Sequence, residues 1–487
     1  MLGLTSVRRW MGVRRFGYDA VEEKGRRRPP RVRLISEDAE LSATDRKKLV
    51  ATARDLPRNY TIAAWMIRKH LDYVSTFGFQ ARTANTEYNT RLEKFVGRWA
   101  TREAFDLAGR HTLHRFIRLQ ERGRTLDGDS FTLKHTSGRL QAIEGDRIRT
   151  PQGGLSASLA RDDLVHGVQV DAAGKALAYA LCNRNRLGDG FTFDRMVPAR
   201  HILQHAYFDR FDQTRGVSPM APGINSLQDT YEGLTYALAK AKVSQLFGIK
   251  IKRFADESVG DISGGSDAEG NPVKSEYKVK LGGPPFLLDL DPGDDADFLE
   301  SKHPSAEFRD FTQLMISISL KCLDIPFSFI DESFTNYSGS RGAWLLYDFA
   351  ADGKRRDNRQ LLSDMTRWRI GLGILDGELD LPRSVGDTVE DVTFEWLNRG
   401  IPWIDPLKEI KADAEAVKLG VTSRRRIAKR GGDDWLEILQ ELDEEEKLLR
   451  AMRPPMPGEP EDDNKDDEDE NKDDEDEKDD DPRKKKR

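Results

Sequence analysis

The sequence predicts an α+β fold built from several regions. Three observations lead there. Long segments carry apolar residues at three- and four-residue steps, short segments alternate apolar with polar residues, and Gly/Pro clusters separate the two kinds. At 487 residues the chain is long enough for about two to four domains and a large core. Its 37% apolar and 33% charged residues suit an extended or assembling protein better than a compact enzyme.

The net charge of −6 hides an uneven distribution. From Glu461 on, sixteen acidic residues face eight basic ones, a net −8, so the rest of the chain carries +2. The two cysteines, Cys182 and Cys322, both lie in apolar contexts, which predicts a reducing compartment and no disulfide framework. No run of ~18 apolar residues predicts a membrane helix, and the arginine-rich start lacks the apolar core of a secretory signal.

Residues 1–45 read as a basic arm. Nine Arg and one Lys stand against three acids up to Arg33, with Trp10, Phe16 and Tyr18 interleaved, and Pro29–Pro30 bar a helix. Such an arm is either a disordered leader or a contact for nucleic acid or a neighbouring subunit. Helical periodicity runs from Leu41 to Val74, with Ser42 or Thr44 as cap and Gly78 as stop, and again from Glu87 to Glu121. Strands follow at "SFTLKH", in a hairpin "HGVQVDAAGKALAYALC" turning at Asp171–Gly174, and at "HILQHAYF". A turn holding Gly216, Pro219, Pro222 and Gly223 leads to a helix capped by Asn225 or Ser226 and ended by Gly248. "IKIKRF" and "SEYKVKL" alternate as strands around a Gly- and acid-rich loop at 255–275. A helix "SAEFRDFTQLMISISLKCL" ends at Pro326, and another is expected from about Gly342 to Ile370, carrying Gly353 and Lys354–Arg356. A helical pair, 405–418 and 422–450, precedes Pro454, Pro455 and Pro457 and the low-complexity tail.

The polar stretch "FIDESFTNYSGSRGAWLLYDF" between the last two long helices concentrates reactive side chain types. It holds no His, so Ser338 has no local base, and a helix connector explains its composition as well as a catalytic site does. The chain lacks a phosphate-binding G-x-x-x-x-G-K-[ST] loop, a G-x-S-x-G elbow and paired zinc-spaced cysteines. His111/His114 and His201/His205 have metal-compatible helical spacing, yet the surroundings of His201 read as strand, and both pairs are taken as structural. "DLDPGDDADFLE" imitates a calcium loop but has Asp294 where glycine is needed, and reads as a solvated acidic loop. No catalytic residue, cofactor or metal is predicted.

Five ordered blocks resemble the lambda-like family of tailed-bacteriophage portal proteins, the head–tail connectors, over about residues 46–370. They are "ARDLPRNYTIAAWMIRKHLDYVSTFGFQ", "HGVQVDAAGKALAY", "FDQTRGVSPMAPGINSL" with Gln213, Arg215 and Gly216, "LDPGDDADF" with "HPSAEFRDF", and "LDIPFSFIDESFTNYSGSR". Asp324 and Gly339 depart from the family pattern, standing where Gly and Ser are usual.

The resemblance implies a portal-type fold: a mixed α/β wing at 46–225, a stem helix at 226–248, a β-rich clip at 249–305 and a second stem helix at 306–325. A tunnel loop at 326–341, a long wing helix and return at 342–404, a helical crown at 405–453 and a disordered acidic/basic tail at 454–487 complete it. It implies a dodecameric homo-oligomeric ring in the virion, at one capsid vertex, assembled in the host cytoplasm and passing double-stranded DNA. Its partners would be terminase, head-completion and tail adaptor proteins and the major capsid protein, with no membrane. The channel residues implied are Asp331, Glu332, Phe334, Thr335, Asn336, Tyr337, Ser338 and Arg341 of the loop. Lys240, Lys242 and Lys321 are candidates on the stem, with solvated or interface lysines the alternative. The competing functions are a metal-dependent nuclease using carboxylates such as Asp289, Asp291 and Asp294, and a capsid scaffold or lining protein.

Overall fold

The computed structural model describes residues 35–153, 163–187, 190–246, 249–253, 294–298, 306–331, 337–398 and 406–452. The chain enters through a short helix, α1 (Glu37–Glu40), which is docked rather than loose. Asp38 accepts from the Thr214 amide at 2.9 Å, and His166 Nε2 donates to the Asp38 carbonyl at 2.8 Å. Ser42 then caps α2 (Ala43–Asn59), its Oγ accepting from the Asp45 amide. Pro57 is tolerated near the end of α2, and α3 (Thr61–Val74) follows almost at once. Ser75, not Gly78, ends α3, by bonding back to the Leu71 carbonyl. Gly78 instead lies within strand β1 (Phe77–Ala81).

The stretch expected as one helix from Glu87 to Glu121 is three: α4 (Thr86–Trp99), α5 (Arg102–Phe105) and α6 (Leu113–Asp127). The interruption has a local cause. The Asp106 carboxylate accepts from the amides of Arg110 and His111, folding a turn around Gly109, and Thr112 caps a new helix. The left-handed Gly128 closes α6.

A three-stranded antiparallel sheet, order β3-β2-β8, packs beside α6. Its strands are β2 (Asp129–Lys134), β3 (Leu140–Glu144) and β8 (Ile202–Ala206). A four-stranded meander runs β4 (Leu164–Val165), β5 (Val168–Val170), β6 (Ala176–Arg184) and β7 (Phe191–Pro198), with the expected hairpin turn at Asp171–Gly174. Phe131, Ile143, Tyr179 and Leu181 join the two sheets in one apolar core.

Helix α7 (Ile224–Leu246) is wound from a preceding tight turn at Ala221–Gly223, so Asn225 and Ser226 lie inside it and do not cap it. Strand β9 (Ile249–Arg253) pairs antiparallel with β10 (Asp294–Phe298). Part of the calcium-like stretch is therefore strand. "SEYKVKL", the loop at 255–275 and Gly248 lie outside the described residues. Helix α8 (Ala306–Leu320) returns beside α7 and leads through a short turn, Lys321–Leu323, to the 39-residue α9 (Tyr337–Leu375).

Strand β11 (Phe394–Asn398) pairs with β1 in register Phe79↔Trp396, closing the last part of the body onto the first. The β1–β11 pair, α4, α6 and α9 enclose the largest core, built from Phe95, Trp99, Phe116, Leu362 and Met365 among others. Beyond it come α10 (Pro406–Lys418), α11 (Arg424–Gly431) and α12 (Trp435–Met452). The expected helix 422–450 is split because Gly432 turns left-handed at φ 89°.

The block "QTRG" has a structural explanation. Arg215, 2% exposed, forks onto Asp129 and also donates to the carbonyls of Gly145, Ile148 and His166. Gln213 braces the same loop through the Asp209 amide and the Arg215 carbonyl. Next to them Gly216 and Gly128 pack backbone to backbone: a Cβ on Gly216 would lie 2.1 Å from the Gly128 carbonyl oxygen. Gly216→Ala is expected to destabilise the protein by about 2 kcal/mol or more, since both neighbours are main chain. Urea unfolding of the purified variant checks this, and an unchanged midpoint would refute it.

Candidate functional site

The candidate site is the base of the α7/α8 pair together with the segment that joins α8 to α9. Gly223, just before α7, sits against Cys322 and the Ser319 carbonyl, so the start of α7 lies at the end of α8. Met220, Ile224, Leu227, Leu320, Leu323 and Ile325 fill the space beneath with Leu56 and Met66.

The connecting segment is fixed on both flanks. On the near side Asp324 adopts a left-handed conformation, φ 62° and ψ 17°. This explains why glycine is usual at that position in the resembling family: the site demands positive φ, which Asp tolerates better than most residues. Lys354 on α9 holds it, with Nζ 2.9 Å from the Asp324 carboxylate and 3.1 Å from the Leu323 carbonyl. Phe327 and Phe329 then turn inward. Phe329 packs on Tyr347 (5.3 Å between ring centroids) and Tyr73 (5.9 Å), and Tyr73 meets Tyr347 edge-on at 4.9 Å. On the far side Trp344 Nε1 donates to the Tyr73 hydroxyl at 3.0 Å, and Arg355 spans the Tyr73 carbonyl and Asp348. Burial, then Tyr73, pushes the Tyr347 phenol far up, so it stays neutral.

Behind this frame lies a buried polar hub. Glu121 on α6 is wholly buried and accepts from four side chains. His70 Nε2 of α3 reaches Oε1 at 2.9 Å and His205 Nε2 of β8 reaches Oε2 at 3.2 Å. The Tyr207 hydroxyl and Asn358 of α9 add bonds of 3.2 and 3.1 Å. Arg124 lies 3.4 Å from the same carboxylate and stacks over Tyr207. A carboxylate only accepts, so each histidine carries a proton on Nε2 and donates it. Burial alone would raise the Glu121 carboxyl; Arg124 and the two histidine bonds reverse this and hold it well below the ordinary range. Burial lowers both histidines, with Arg124 adding to the effect at His205. His205 is thus structural, as expected, and its supposed partner His201 sits in a separate turn.

The predicted site residues do not all meet. Asp331 ends the turn after Phe329, its amide bonded to the Phe327 carbonyl. Glu332, Phe334, Thr335 and Asn336 lie outside the described residues. Tyr337, Ser338 and Arg341 belong to the first turn and a half of α9, not to a loop, because α9 begins five residues before the expected Gly342. The apolar periodicity starts only at Trp344, and the polar "YSGSR" concealed that turn. Arg341 faces Glu409 of α10 at 3.5 Å. Lys240 and Lys242 lie exposed towards the far end of α7. Lys321 sits in the turn after α8, not on the helix, at the base of the pair. With ~1.5 Å of rise per residue, some 25 Å separates them, so the three lysines form no cluster. Composition missed Tyr73, Phe329 and Tyr347, although their helical or helix-flanking positions were visible.

Comparison with known proteins gives the family. Residues 25–350 match the phage portal proteins of the lambda family, and the chain belongs to that family. Members of this family are structural proteins of the virion that form a ring at one capsid vertex. The chain is also 23% identical over 397 residues to a probable portal protein of Halomonas phage phiHAP-1, covering 77% of this chain and 73% of that one. Among solved structures it is similar to a chain from the virion of a native gene transfer agent particle (13% identity, TM-score 0.44, 80% of this chain and 93% of that one). It is similar too to one from the neck of an empty particle (14%, 0.45, 80% and 94%). The nuclease and scaffold alternatives are not favoured by the family match. Asp289 and Asp291 lie outside the described residues, and among the described residues no group of three or more His, Cys, Asp or Glu is placed to hold a metal. No described helix is long and apolar enough to cross a membrane.

Two expectations follow. Asp324→Gly is expected to be tolerated, whereas Asp324→Val should cost about 1–2 kcal/mol through left-handed strain; denaturant midpoints of the two variants distinguish them. The hub sets an acid limit. Unfolded histidine takes up a proton near pH ~6.5, but His70 and His205 resist it in the fold, so the unfolded state binds more protons below that value. Glu121, depressed in the fold, contributes in the same direction at lower pH. Stability is therefore expected to fall as pH drops from 7.5 to 5.5; a flat urea midpoint across that range would count against the hub as described.

Proposed function

We propose that a ring of this chain is the conduit for double-stranded DNA during packaging and ejection, and that it works without catalysis of its own. The supporting observation is the outer surface of the α7/α8 pair and of the first turns of α9. Leu234, Leu238, Phe311, Leu314, Leu346 and Phe349 are all exposed in the single copy, Phe349 at 81%. Large apolar side chains in such number call for cover, and a ring of identical subunits supplies it by a head-to-tail contact that closes by rotation.

In this reading the ring is a dodecamer. The α7/α8 pair is the stem, residues 249–305 the clip, α10 to α12 the crown, and the segment ending at the first turn of α9 the tunnel loop. A channel must not hold DNA tightly, because every ion pair to phosphate adds affinity and salt-dependent drag. The proposed loop meets that demand: Asp331 and Glu332 repel phosphate, while Thr335, Asn336, Tyr337 and Ser338 offer uncharged contact beside Phe334 and a single Arg341. Lys240 and Lys242 near the far end of α7, and Lys321 at the base of the pair, would touch the backbone weakly at two separate levels. The motor is a separate terminase, since this sequence has no G-x-x-x-x-G-K-[ST] loop. Terminase and later the head-completion and tail proteins would dock on the clip, and the capsid protein would surround the ring at the vertex after assembly in the host cytoplasm.

Particle imaging with mass measurement tests the ring: twelve-fold particles with a hole wide enough for duplex DNA are expected, and a stable monomer or dimer overturns the reading. Deletion of residues 332–336 between the two fixed flanks is expected to leave rings intact and to abolish DNA packaging or retention in particles. Normal packaging by the deleted ring would remove the loop from the mechanism.

A further inference from the structure

Helix α12 is unfinished in the single copy. Its 18 residues carry Leu436, Leu439, Leu442, Leu449 and Met452, all exposed, and every residue from Leu439 to Met452 is exposed. At 100° per residue Leu439, Leu442 and Leu449 fall on one side, continuous with the half-buried Trp435 and Ile438 that root the helix. The two flanks of this stripe differ. On one, Asp443 pairs with Lys447, and Arg450 pairs with Glu446, which itself lies within the stripe beside Leu439. On the other, Glu437, Glu441 and Glu445 stand at i, i+4 and i+8. They form a like-charge row, with the exposed Leu448 among them, and none of the three makes an ion pair among the described residues. Partial burial, and then the carboxylates of Glu441, Glu93, Asp434 and Asp433, push the Glu437 carboxyl up. The row is thus unfavourable for an isolated helix.

The same chain carries the complement one helix earlier. Arg424, Arg425 and Arg426 open α11, all exposed, and none has an ion pair among the described residues. By contrast Lys429 and Arg430 in the next turn pair with Glu395 and Asp413. The basic triplet also sits at the positive end of its helix, where cations are disfavoured. Among the described residues of one copy an acidic ridge and a basic triplet both lack ion-pair partners, and the helix bearing the ridge has an exposed leucine stripe.

We propose that in the ring α12 of one copy packs its leucine stripe against the neighbouring copy, with the Glu437–Glu441–Glu445 ridge set against that copy's Arg424–Arg425–Arg426 triplet. The contact is head-to-tail, so each copy gives a ridge to one neighbour and a triplet to the other, as ring closure requires. It rests on the ring proposed above and adds to it an electrostatic register between neighbours, which fixes which faces meet and rejects like-with-like pairing.

The test uses two full-length variants, R424E/R425E/R426E and E437R/E441R/E445R, with particle mass read at low and high salt. Each variant alone places like charges across the contact and is expected to lose rings by roughly tenfold or more at low salt. Mixed in equal amounts, the two restore opposite charges at every contact and are expected to assemble alternating rings, which also shows that each chain had folded. The proposal is overturned if each variant alone forms rings as the unaltered chain does, or if the mixture forms none. Rings that persist but no longer retain DNA with the arginine variant would assign the triplet to phosphate instead and also overturn it. An unaltered chain that forms no ring at all would overturn the ring itself, a result separable from the others.

Discussion

One buried carboxylate organises the body of this protein. Glu121 accepts hydrogen bonds from α3, β8, the residue that follows β8, and α9, and faces Arg124 on its own helix; these donors come from parts of the chain as far as 237 residues from Glu121 in sequence. Removing a charge from water is costly, and only a full set of donors offsets it, so the elements that supply them are held to one mutual arrangement. The long helix α9 is placed by this requirement through Asn358. The same helix, one turn before, fixes the connecting segment through Lys354 and Arg355. The two described flanks of the connecting segment, up to Asp331 and from Tyr337, are thus tied to a hydrogen-bond set in the interior.

A second buried charge does comparable work for the sheets. Arg215 satisfies Asp129 and three carbonyls at once, and Arg46 from α2 lies 3.2 Å from the same Asp129. This joins the entering helices, the sheet β3-β2-β8 and the turn before α7. Beside this set Gly128 and Gly216 pack backbone to backbone, leaving no room for a Cβ on either. In a sequence comparison such residues look like a functional signature. Here they are the reason that α7 leaves the body where it does.

The outer surfaces obey a different logic. The α7/α8 pair and α12 carry large apolar side chains that stay exposed in the single copy, Leu238, Phe311, Leu442 and Leu449 among them. A ring protein must fold as one copy and yet leave complementary faces open, which accounts for a surface that carries like-charge rows and leucine stripes side by side. The high charged fraction and the modest apolar fraction of the sequence record that compromise.

The sequence by itself determined the alternation of mixed body, helix, strand-bearing insertion, helix, connector and long helix, because periodicity and Gly/Pro punctuation are local properties. It also carried the family blocks. Tertiary structure decided what those local signals could not contain. The pairing of β1 with β11 joins residues more than 300 apart, so neither strand announced itself, and Gly78 looked like a helix stop. The break of the 87–121 stretch depended on where the Asp106 side chain bonds. The early start of α9 was hidden because its first turn is polar. Among the named site residues, the lysines proved to lie at opposite ends of a helix pair, and Arg341 to face Glu409. Helical spacing shows which residues share a face; only the packing of one element on another decides which faces meet.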